Sequence, residues 1–128
     1  MRRVRPEPRV IEWLNAANDD ELYLSVISLG EIWRGFTLLR DPNRRSQLEQ
    51  WIQKDVREWF AARILPVSDT VAERWGILDA ERQLRGAPLN IADGLIAATA
   101  LEHGLTVVTH NGKDFAGLGV EIVDPWKV

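Results

Sequence analysis

Short strand-like runs alternate with helix-like runs along this chain, and that alternation restricts the possible architectures more than any other feature. "ELYLSVIS" holds a buried strand over residues 22–26, and "ILPVS" holds a second near residue 64. "LTVVTHNGKDF" holds a β-branched strand over 106–109 that runs into a polar turn, and "GVEIVDP" supplies a short last strand. Between the first two, "SLGEIWRGFTLLR" puts Ile32, Phe36 and Leu39 on one helical face. "DPNRRSQLEQWIQKDVREWFAAR" restarts a helix after Pro42, with Leu48, Trp51, Ile52, Trp59 and Phe60 facing inward. Ser68 is expected to cap "DTVAERWGILDAERQLRG", where Val71, Trp75 and Leu78 recur at helical spacing and Gly86 stands where a C′ residue belongs. "APLNIADGLIAATALEHG" is the next helix, closed by Gly104. Ahead of all these, "PEPRVIEWLNAAN" spaces Val10, Trp13, Leu14 and Ala17 as a short amphipathic helix.

Strands that alternate with helices predict an α/β protein, a parallel sheet with helices on both faces. In such sheets ligands bind outside the carboxyl ends of the strands. The chain has 128 residues, a size expected for one domain with one real core. It has no internal repeat, no apolar run near the ~20 residues that span a bilayer, and no secretory signal pattern at its start. Cysteine is absent, which excludes disulfides and thiolate metal sites and suits a reducing cytoplasm. With only His103 and His110, a histidine-rich zinc site is also disfavoured, so any metal is expected to sit among oxygen ligands. The net charge of −3 argues against a bulk nucleic-acid binder, but not against a nuclease with local arginines and an acidic centre.

Three carboxylates satisfy the strand-end rule. Glu31 follows the first strand, Asp114 follows the strand ending at Thr109, and Asp93 opens the helix before that strand. Each has a plain structural reading. "SLGE" and "NIAD" both match the capping-box pattern, and a first-turn carboxylate gains about 0.3–1 kcal/mol from the helix dipole. Asp114 by itself reads as an ordinary turn residue. Together, however, the three are expected to converge on one sheet edge. Crowded anions persist at neutral pH only with a cation among them, and magnesium or manganese fits an all-oxygen set.

"VISLGEIWRGF", "NIADGLIAATALEHGLTVVTHNGKDF" and "GLGVEIVDPW", taken together, resemble the PIN-domain family, specifically the VapC- and FitB-like toxins of bacterial toxin–antitoxin pairs. The agreement runs in order from about residue 8 to the end. It implies a three-layer α/β/α fold, one PIN-like domain over residues 1–128, with a parallel sheet of about four strands here. It implies a magnesium-dependent (or manganese-dependent) endoribonuclease, cytoplasmic and not membrane-bound. An RNA substrate, a cognate antitoxin and a homodimer are implied as well. Carried over residue by residue, the metal and catalytic positions fall on Glu31, Asp93 and Asp114. Thr109, Asn111 and Lys113 match secondary or substrate-facing positions, and His110 stands where the family often has arginine.

One departure matters. Such domains begin with a hydrophobic strand, a "LLDTNV"-like segment, whose aspartate is a primary metal ligand. Here "MRRVRPEPRV" resembles the segment located after that strand and its helix, and Glu7 and Glu12 are poor substitutes. The expectation is a domain truncated at its N-terminus, with the true start upstream of Met1 preferred over a decayed toxin. Loss of a central strand would leave backbone donors unpaired and weaken magnesium binding. The alternative function is then a catalytically impaired module that binds an antitoxin, or a second copy, through helices bearing Trp33, Trp51, Trp59 and Trp75. Arg2, Arg3, Arg5 and Arg9 read first as a solvated charge run and second as contacts to RNA or an acidic antitoxin segment. A phosphohydrolase lacks its strand-end nucleophile here, and no phosphate-binding loop motif is present.

Overall fold

The computed structural model describes residues 22–109 and 112–124. These form two compact units, divided in sequence between Leu65 and Pro66. The helix expected at "PEPRVIEWLNAAN", the opening arginines, Glu7, Glu12, His110 and Asn111 lie outside the described residues.

In the first unit, strand β1 (Leu24–Ser25) runs directly into helix α1 (Val26–Thr37). Ser25 ends the strand in an extended conformation, and its side chain accepts from the Ile27 amide at 3.0 Å, so one residue both closes β1 and caps α1. Asp41 caps α2 (Pro42–Trp51) through the amides of Asn43 and Arg44, with Pro42 at the first helical position, where its missing N–H costs nothing. The helical path continues through a π-helical stretch, Ile52–Val56, into α3 (Arg57–Phe60). Ile52 and Val56 are both buried in that stretch. They form the core of the unit with Leu29, and Ile32, Trp33, Phe36, Trp51 and Phe60 pack around them. The predicted faces of α1 and α2 are therefore largely those that pack, with Val56 added.

Strand β2 (Ile64–Leu65) pairs in parallel with β1, Leu24 opposite Ile64. Arg63 ties the two ends of this crossover together. Its guanidinium donates to the carbonyls of Leu22 (2.8 Å) and Trp59 (2.6 Å) and lies over the Phe60 ring.

In the second unit, α4 (Asp69–Leu84) is capped by Ser68, whose Oγ accepts from the Val71 amide at 3.2 Å. It ends as expected at Gly86, which takes φ +70° while the Ala87 amide bonds back to the Arg82 carbonyl and the Gly86 amide to that of Gln83. Helix α5 (Ile91–His103) ends in the same way at Gly104, φ +65°, with Leu105 bonding back to Ala100. Both glycines occupy the left-handed position of a Schellman cap, where a side chain would be strained. Strand β3 (Val107–Val108) leads to a single 3₁₀ turn, Gly112–Phe115, and strand β4 (Ile122–Val123) pairs in parallel with β3. The core here is Ala97, Ala100, Val107, Phe115 and Leu118.

The α/β class with short parallel strands holds, as does the count of four strands among the described residues. The extent of pairing differs from a continuous sheet of four. The strands form two ladders of two residues each, β1 with β2 and β3 with β4. For β1 the physical reason is local, because its last residue, Ser25, is also the cap of α1, and Val26, which would extend the strand, is already helical. The expected Ser28–Glu31 capping box is corrected for the same reason. With the helix starting at Val26, Ser28 and Glu31 are interior helical residues, and α1 has no acidic residue in its first turn.

This difference is testable. Ser25→Ala is expected to cost about 0.5–2 kcal/mol in denaturant unfolding, whereas Ser28→Ala should stay within about 0.5 kcal/mol. Equal effects would restore the cap to Ser28.

Candidate active site

The second unit builds its site from the start of α5. Asn90 is extended and its Oδ1 accepts from the Asp93 amide at 3.2 Å, so "NIAD" caps the helix as its pattern predicts. Asp93 is thereby held in the first turn, half-buried. Asp93, Ala97 and Ala100 lie at i, i+4 and i+7, on one side of the helix. Ala97 is fully buried and Ala100 nearly so, and both share a core with Phe115. Phe115 closes the 3₁₀ turn and directly follows Asp114. The alanine row thus pulls in the turn that carries Asp114, and Asp114 is brought near enough for its charge to act on Asp93.

The two carboxylates sense each other. The Asp93 carboxyl is held above its ordinary value, first because burial strips water from the anion and second because the Asp114 charge opposes it. Asp114 itself is exposed on its turn, as is its neighbour Lys113. Thr109 is half-buried at the end of β3, where its amide extends the ladder to the Val123 carbonyl at 3.0 Å. Glu31 is exposed in the second turn of α1, in the first unit. Among the described residues no three His, Cys, Asp or Glu side chains gather into one group. What the fold brings together is the Asp93–Asp114 pair. Two neighbouring carboxylates form an all-oxygen, anionic locus, the chemistry that hard divalent cations prefer.

Sequence reasoning does not single out Gly94, yet it is buried immediately beside Asp93. A signal for it exists, because a glycine inside a helical pattern usually has a packing reason. Trp75 of α4 supplies that reason, lying against the Gly94 backbone.

The raised Asp93 carboxyl carries a stability consequence. The folded state holds this proton more tightly than the unfolded chain does. Its contribution is therefore fully present below the unfolded value and is lost as pH rises through the raised folded value. In metal-free protein, Asp93→Asn is expected to raise the unfolding temperature at pH 7 and to leave it unchanged below about pH 3, where the carboxyl is already protonated. A lower unfolding temperature at pH 7 would contradict the repulsion.

The fold and the carboxylate pair can be set beside known proteins. The family model for the PIN domain matches residues 3–121. Toxin FitB of Neisseria gonorrhoeae (strain ATCC 700825 / FA 1090) is 33% identical over 124 residues, which cover 97% of this chain and 89% of FitB. VapC ribonuclease Y4jK of Sinorhizobium fredii (strain NBRC 101917 / NGR234) is 30% identical over 125 residues, 98% of this chain and 89% of Y4jK. The crystal structure of FitAcB from Neisseria gonorrhoeae has a TM-score of 0.90 to this chain at 32% identity, covering 98% of this chain and 91% of that one. The family match crosses both compact units, and the chain belongs to the PIN-domain family.

Proposed function

We propose that this protein is a divalent-metal-dependent endoribonuclease acting as the toxin of a toxin–antitoxin pair. The observation that carries the reading is the pair Asp93 and Asp114, drawn together by the shared core of Ala97, Ala100 and Phe115, in a chain whose relatives include a protein named as a toxin and one named as a VapC ribonuclease. The pair fits magnesium or manganese. Magnesium is commonly held by one or two carboxylates and keeps water and open positions for substrate phosphates. Burial and the Asp114 charge both penalise the Asp93 anion, and a bound cation would offset them. When bound, such a cation supplies an activated water and offsets charge on the phosphodiester.

The chain's own groups have distinct tasks in this reading. Asp93 and Asp114 hold the cation, and Glu31 keeps the catalytic role that the family resemblance implies for it. Lys113, on the same turn as Asp114, steadies a substrate phosphate as a point charge. Thr109 and Asn111 keep the secondary or substrate-facing roles that the family resemblance implies. The protein works in the cytoplasm as one PIN-like domain spanning residues 1–128, as a homodimer, restrained by a cognate antitoxin. No helix among the described residues is long and apolar enough to cross a membrane.

A second reading has its own observation. No third acidic side chain joins Asp93 and Asp114 among the described residues, which favours a catalytically impaired module that binds an antitoxin or a second copy. RNA cleavage by the purified chain separates the two. The nuclease reading expects cleavage with magnesium or manganese, none after chelation, and a loss of about 10²-fold or more in kcat/KM for Asp93→Asn or Asp114→Asn. Glu31→Gln is expected to weaken cleavage in the same assay. Cleavage indifferent to both aspartate substitutions would sink the nuclease reading, and no cleavage under any metal would leave the binding module.

A further inference from the structure

Gly94 is the fourth residue of α5, one step past Asp93. A Cβ placed there would lie 2.9 Å from Trp75 Cδ1, 3.0 Å from Trp75 Nε1 and 3.0 Å from Leu89 Cδ2. The indole therefore rests directly on the backbone of the first turn. At many helix starts the apolar residue before the cap packs against the side chain at the fourth position, fixing how the chain enters the helix. Leu89 is that preceding residue here, but the fourth position has no side chain. The indole, reaching over from α4, fills the space. Trp75 is anchored by its own helix, one turn after the fully buried Val71. Its Nε1–H is buried with no hydrogen-bond partner among the described residues, so shape and not a polar bond holds the ring in place.

This contact matters because first-turn amides lack partners within their own helix and that turn frays without outside support. At 3.6 residues per turn, Asp93 and Gly94 point about 100° apart around the helix. Trp75 thus acts through the backbone and not on the carboxylate. Small displacements of a functional group are costly, and a misplacement of about 1 Å can lower a rate a hundredfold.

We propose that Trp75 is a positioning residue for Asp93, clamping the Gly94 backbone so that the first turn of α5 holds the carboxylate in place for a cation. This rests on the reading of Asp93 as a cation-holding group. The test is Mn²⁺ binding by titration calorimetry on the 128-residue chain, alongside thermal unfolding and circular dichroism. Trp75→Leu, folded, is expected to bind Mn²⁺ about tenfold more weakly, as when a supporting group behind a metal ligand is lost, while Trp75→Phe keeps a flat ring on Gly94 and stays within about threefold. A folded Trp75→Leu with unaltered Mn²⁺ affinity overturns the proposal, even if its unfolding temperature falls, because that is the signature of a purely structural tryptophan. Should Trp75→Leu not fold, Gly94→Ala decides by the same two outcomes, its methyl group displacing the indole from the other side. Asp93→Asn is the separate control. If it binds Mn²⁺ as the parent does, or the parent binds none, the cation reading itself falls and the positioning proposal falls with it.

Discussion

The close packing of α5 is the constraint on which the second unit depends. Residues 97–100 of that helix, Ala97, Ala98, Thr99 and Ala100, are all buried, and none is larger than threonine. Small side chains let neighbouring elements approach the helix axis, and interiors packed at crystal-like density leave little room for adjustment. On one side the alanine row meets Phe115 and Leu118, which sets the turn carrying Asp114. On another, Gly94 meets Trp75, which sets α4 against the same helix. An exposed Arg74–Glu102 ion pair at 3.2 Å also links α4 to α5, but a pair of that kind contributes little next to the buried contacts.

That packing holds together two groups that electrostatics would separate. Asp93 is half-buried, and both burial and the nearby Asp114 charge penalise its anion. The Asn90 cap and the position in the first helical turn act in the opposite sense, since the dipole favours a carboxylate there. The outcome is a local conflict tolerated because the surrounding core is well satisfied. Conflicts of this kind concentrate where a protein binds or reacts, and they cost stability that the rest of the fold must supply.

Legibility in the sequence tracks the range of the interaction. Helix ends are readable because their signals lie within a few residues: Ser68, Asn90, Gly86 and Gly104 all act as their types suggest. The inner faces of α1, α2 and α4 are readable from spacing, since a period of 3.6 residues leaves its mark on any amphipathic helix. The start of α1 is not, because Ser25 and Ser28 carry the same capping chemistry, and only the end of β1 decides between them. Arg63, which binds carbonyls 41 and 4 residues away, leaves no periodic trace at all.

The sequence by itself determined the alternation of elements, the caps at Ser68, Asn90, Gly86 and Gly104, the exclusion of thiolate ligands by absent cysteine, and the identity of the candidate acids. These depend on composition and on neighbours in the chain. Which acids come near one another was decided only by tertiary structure, because the segments carrying Asp93 and Asp114 are joined through the buried contacts of Ala97, Ala100 and Phe115. Tertiary structure also decided that strand pairing stops after two residues, and that an indole from α4 occupies the space Gly94 leaves empty. Pair electrostatics and close packing act through space, and separation along the chain does not encode them.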